Sequence, residues 1–155
     1  MKIISIVGRD GTIAVCHSDT KKADISKHNN TVTGLLDSIK KSLEAIKASG
    51  DEQEIRILVP DVVGGVGFPH VVNHWRATGC SMKGTKLSKE YIISAVEIQK
   101  LLTELPNTKI YFGSRLRRVS YQYNYRSAWE CLNKITGKKK TNNITARIVS
   151  GSTNF

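Results

Sequence analysis

No apolar run approaches the ~18 residues that a membrane-crossing helix needs, so no membrane partner is expected. The opening residues, MKIISIVGRDG, turn polar too soon for a secretory signal. The expected setting is therefore soluble and cytoplasmic. Cysteine is scarce: Cys16, Cys80 and Cys131 stand far apart without C-x-x-C spacing, which argues against a zinc ribbon and against a disulfide framework. Reduced thiols are expected. His17, His28, His70 and His74 read as ordinary polar side chains. Gly64, Gly65 and Gly67 lack the Gly-Lys-Ser/Thr ending of a nucleotide loop, and no internal repeat is visible.

Acid is the minority charge. Lys and Arg total 24 against 13 Asp and Glu, a formal net charge of +11 in 155 residues, which is the length of one domain. The imbalance is uneven: after Leu105 there are ten Lys/Arg residues and one acid, Glu130. A field of that sign attracts polyanions, and nucleic acid is the first candidate, with counterion release as the source of affinity. An acidic protein partner, or a basic surface that only aids solubility, is the alternative.

What the chain does have is clear periodicity. Lys2 to Val7 reads as a first strand, Asp10-Gly11 as a hairpin turn, Ile13 to His17 as a second strand and Ala23 to Lys27 as a third. His28-Asn29-Asn30-Thr31 is a cap-like cluster. Behind it Leu35, Leu36, Ile39, Leu43 and Ile46 recur at helical spacing until Ser49-Gly50 ends the helix. Ile55 to Val59 is a buried-strand pattern closed by Pro60, which cannot continue a central ladder. A weak, glycine-rich helix follows. Ile92, Ala95, Val96, Ile98, Leu102 and Leu105 mark a long helix from Ser88, and Lys109 to Phe112 a fifth strand. After an arginine-bearing loop, Tyr125, Ala128, Trp129, Leu132 and Ile135 mark a last helix, ended by Gly137. The expectation is an α/β domain over 1-137, a five-stranded mixed sheet in the order β-β-β-α-β-α-α-β-α with helices on both faces. Residues 138-155 form a basic C-terminal tail with one strand-like run, Ile144 to Val149.

The stretch from Asp61 to Tyr91 carries the most specific pattern. Asp61 stands at the carboxyl end of a strand, where open α/β sheets collect ligands, and is either a ligand or the cap of the next helix. Asn73-His74-Trp75-Arg76 with Gly79 is followed by a basic loop with Lys83, Lys86 and Lys89, then by a new helix. This resembles the basic protrusion of type 1 ribonucleases H, with Cys80 where that family has an aromatic. The element order is also that family's order, so the resemblance covers residues 1-137.

The resemblance implies binding of an RNA–DNA hybrid or another duplex, and hydrolysis of the RNA strand with Mg²⁺ or Mn²⁺. Such hard ions require oxygen ligands from separate elements. By position these would be Asp10 in its Asp-Gly-Thr context, Asp61, and Glu130 in the last helix. Asp10 is equally read as a turn residue, and Glu130 as a surface partner of Arg126 or Lys134. The family's helix glutamate is replaced by Thr33. Asp37, one turn further on, is better read as a solvated helix residue. The flexible-loop histidine has no counterpart, since Arg115, Arg117 and Arg118 occupy that loop. The same resemblance assigns Asn29 and Asn30 to the minor groove, and Trp75, Arg76, Lys83, Lys86, Lys89 and the three loop arginines to the backbone. Tyr121, Tyr123 and Tyr125 suit either base stacking or packing. Thr33 leaves room for a module that binds without cutting, and a protein-binding adaptor is a third reading.

Overall fold

A computed structural model describes residues 1–20, 22–60, 81–82, 85–86, 89–112 and 119–137. Strands β1 (Lys2–Arg9), β2 (Thr12–His17) and β3 (Ala23–Lys27) form an antiparallel meander, and α1 (Thr31–Ser49) leads into β4 (Ile55–Val59). A two-stranded ribbon, β5 (Ser81–Met82) and β6 (Thr85–Lys86), precedes α2 (Lys89–Thr103), β7 (Thr108–Phe112) and α3 (Val119–Thr136). The main sheet has the order β3-β2-β1-β4-β7. β4 runs parallel to both β1 and β7, so the sheet is mixed as the residue patterns implied.

Alternation along β1 explains the layering. Ile4 and Ile6 face one side, where Leu35, Leu36, Ile39 and Leu43 of α1 and Ile92, Ala95 and Ile98 of α2 close the larger core. Ile3 and Val7 face the other, against Tyr125, Ala128 and Leu132 of α3. Buried Ser5 is the polar exception on that second side. Its hydroxyl accepts from the Asn124 side chain at 2.8 Å, so nothing is left unsatisfied there. The cap cluster behaves as its composition implied. Asn30 Oδ1 accepts from the Thr33 amide at 3.1 Å, and Gly50 ends α1 at φ 68 with its N–H bonded to Lys47.

Two details differ from the sequence expectation. The stretch at 81–86 was expected as loop and contains a ribbon, with Lys86 on its second strand. The last helix starts at Val119, earlier than its apolar pattern showed, because its first turn carries few apolar residues. Among the tyrosines, Tyr125 packs in the core and Tyr123 is 63% exposed, as helical spacing requires of residues two apart. The weak helix after Asp61, the side chain of Tyr121 and the tail strand lie outside the described residues.

The lysines of α1 are largely neutralised. Lys40 pairs with Glu97 of α2 at 3.0 Å and Lys47 with Glu104, just beyond α2, at 2.8 Å, while Lys41 pairs with Asp37 at 3.2 Å. The hydrogen bond from Lys47 holds the Glu104 carboxyl below its usual range, and that to Glu97 raises Lys40. Pairs this exposed add little to stability. Their larger consequence is that these cations contribute little free charge.

Tyr91, buried at the start of α2, has its phenol pushed up to about 12 by burial. The fold therefore prefers the neutral phenol. Stability from this group is present below the ordinary tyrosine range near 10 and is lost as pH rises towards 12. The loss should total about 2–3 kcal/mol. Urea unfolding between about pH 9 and pH 12 should show it, and Tyr91→Phe should flatten that part of the profile.

Candidate nucleic-acid interface

Because β1 and β4 are parallel neighbours, paired from Lys2↔Ile55 to Ser5↔Leu58, their carboxyl ends reach the same rim of the sheet. β1 ends there in the Asp10-Gly11 turn, with φ of 52 and 80, the left-handed pair that a two-residue hairpin demands. The turn is pinned to the start of α1. The Gly11 N–H donates to Thr31 Oγ1 at 2.8 Å, and the Gly11 carbonyl accepts from the His28 N–H at 2.7 Å. Asp10, Asn29 and Asn30 are thereby gathered at one end of the molecule, all three exposed. Asn30 spends its side-chain oxygen on the helix cap and keeps its amide NH₂ as a donor.

From the other face α3 meets the same rim. The Arg9 guanidinium lies over the Trp129 ring, 5.3 Å from its centroid, and donates through Nη1 to Asn133 Oδ1. Glu130 is exposed on the intervening turn of α3 and, among the described residues, makes no ion pair with Arg126 or Lys134. Its local reading as half of a helix-surface pair therefore fails.

No protein-family model matches the chain, and no curated protein does. Solved structures do match. One, described as a foamy viral protease-reverse transcriptase in complex with dsDNA, superposes with a TM-score of 0.50 at 10% identity over 83% of this chain and 92% of that one. Another, LC11-RNase H1 in complex with RNA/DNA hybrid, gives a TM-score of 0.46 at 14% identity over 88% and 99%. The chain has a ribonuclease H-like fold. At these identities the likeness is one of fold.

The residues that the sequence singled out as a site fall into two groups. Asp10, Asn29, Asn30 and Glu130 are described; Lys86 lies on β6 and Lys89 opens α2. Asp61, Trp75, Arg76, Lys83, Arg115, Arg117 and Arg118 lie outside the described residues. Thr33, where the resemblance implied a helix carboxylate, is exposed in the first turn of α1. Asp37 is held by Lys41 on the helix surface, as expected of a solvated residue.

Hard divalent ions take several oxygen ligands. Among the described residues no three Asp, Glu, His or Cys side chains gather into such a set. The described residues by themselves therefore do not complete a site for Mg²⁺. Sequence reasoning missed the Arg9–Trp129–Asn133 cluster. The only hint was an arginine preceding the Asp-Gly turn, and nothing local links it to a helix more than 100 positions away.

Proposed function

We propose that this chain binds an RNA–DNA hybrid or a related duplex across the rim where β1 and β4 end. We further propose that it hydrolyses the RNA strand with Mg²⁺ or Mn²⁺, held by Asp10, Asp61 and Glu130. The observation that carries this reading is the parallel pairing of β1 with β4, which directs the Asp10 turn and the chain leaving Val59 to one rim. The capped start of α1 and the Arg9 cluster border the same rim. The net charge of +11 and the dsDNA held by the foamy viral structure favour a nucleic-acid partner. Lys83, Lys86, Lys89, Trp75 and Arg76 would grip one strand, and Asn29 and Asn30 would face the shallow groove, where the 2′-OH marks RNA. Arg115, Arg117 and Arg118 add phosphate contacts.

Labelled hybrid incubated with Mg²⁺ or Mn²⁺ tests the enzymatic part. Wild type should cleave it, and Asp61→Asn should lose at least about 100-fold, the upper end of what even an outer-shell change costs a metal site. Equal cleavage by both proteins would remove Asp61 from the site.

A second reading is favoured by Thr33 and by the left-handed Asp10 backbone: a module of the same fold that binds duplex without cutting it. Hybrid binding without metal-dependent cleavage would establish that reading. Gain of cleavage in Thr33→Glu would locate the defect. Failure to bind any nucleic acid at low salt would instead favour a protein partner for the basic face.

A further inference from the structure

We infer that Arg9 is a built phosphate receptor on this rim, holding a backbone phosphodiester of the bound strand; this deepens the nucleic-acid reading above and rests on it. Two arginines on the α3 side of the sheet are arranged alike up to a point. Arg56, at the opposite end near the start of β4, lies over Tyr111 at 5.5 Å and is neutralised by Glu54, whose Oε2 takes hydrogen bonds at 2.7 and 2.9 Å. Arg9 lies over Trp129 at 5.3 Å, but its hydrogen-bond acceptor is the neutral amide of Asn133. Among the described residues no carboxylate lies within 4.0 Å of it.

That difference is chemical. A carboxylate would fix the guanidinium and cancel its charge together, whereas an amide fixes it and leaves the charge standing. The stacked indole adds a second constraint on orientation. The result is a half-buried planar cation with its remaining N–H donors held in place, the fork geometry that suits a phosphate. It sits next to Asp10 in sequence and on the rim where both parallel strands end. If Arg9 served only to tie β1 to α3, a carboxylate at position 133 would do so at least as well.

Asn133→Asp is therefore the discriminating variant, because it keeps an acceptor for Arg9 while supplying the neutralising charge that Arg56 already has. Affinity for a fluorescent hybrid would be read by anisotropy across a salt series with metal chelated, for wild type, Asn133→Asp, Arg9→Ala and Arg9→Lys. Thermal melting would confirm that each variant is folded. Asn133→Asp and Arg9→Ala should each lower the magnitude of the log–log salt slope by about 0.9, the signature of one lost phosphate contact. Affinity at low salt should fall by about tenfold, the effect of losing one charged hydrogen bond of moderate strength. Arg9→Lys should keep the slope yet bind more weakly, having lost the fork. A wild-type slope and affinity in Asn133→Asp would overturn the Arg9 assignment while leaving duplex binding intact. Absence of salt-dependent binding by wild type would bring down both.

Discussion

Raising salt from about 50 to about 200 mM is expected to weaken hybrid binding by this protein about 10³-fold or more, the range for proteins making roughly six to ten phosphate contacts. The number of contacts comes from counting the cations assigned above to the proposed face. Arg9, Arg76, Lys83, Lys86, Lys89, Arg115, Arg117 and Arg118 are the candidates on the proposed face. Lys40, Lys41 and Lys47 are not, because Glu97, Asp37 and Glu104 already pair with them. Two triple variants separate these groups. Changing Lys83, Lys86 and Lys89 to Ala should reduce the slope by about 3, one unit for each phosphate released. Changing Lys40, Lys41 and Lys47 to Ala should leave it at the wild-type value. The same slope in all three proteins would mean that affinity does not arise from the protrusion-like segment. Equal losses in both variants would mean that total charge, and not its placement, drives binding.

Gly11→Ala should be the most damaging small substitution in the described structure, at about 2–5 kcal/mol. Two costs combine. At φ +80 an alanine pays the left-handed backbone penalty, and its Cβ would fall 2.4 Å from the His28 carbonyl oxygen. That oxygen belongs to the backbone segment that donates its own N–H to Gly11, so it cannot swing aside as a flexible side chain could. For a chain of this length the melting temperature should fall by roughly 5–20 °C. Gly8→Ala offers the comparison: its Cβ would meet the movable end of Ile13 at 2.5 Å, with no backbone φ penalty. It should cost less. If Gly11→Ala melts within a degree or two of wild type, the turn can leave the α1 start, and the tight pinning of Asp10 beside Asn29 and Asn30 is wrong.

Much of the scaffold was legible because the signals were local. The Asp-Gly pair implied a hairpin and is one. Leu35, Leu36, Ile39, Leu43 and Ile46 implied a buried helix face, and all five are buried. Asn30 and Gly50 cap that helix as cap-forming residues do. The start of α3 was less legible because its first turn shows no apolar stripe, and the ribbon at 81–86 was missed because two-residue strands are too short to display a period. For the candidate site, positions in the chain singled out Asp10, Asn29, Asn30 and Glu130, but not which of them share a neighbourhood.

Residue order alone determined the type and sequence of the five main-sheet strands and of the three described helices, and the cationic excess, since each depends on neighbours within a few positions or on a simple count. Tertiary structure alone decided which cations are spent and which remain available. Arg9 meets a neutral amide on α3, Arg56 meets a carboxylate just ahead of its own strand, and the lysines of α1 meet Asp37 on the same helix, Glu97 on α2 and Glu104 just beyond α2. The reason is physical: charge compensation acts over a few ångströms of space, and only the crossing of strands and helices brings residues far apart in the chain to that distance.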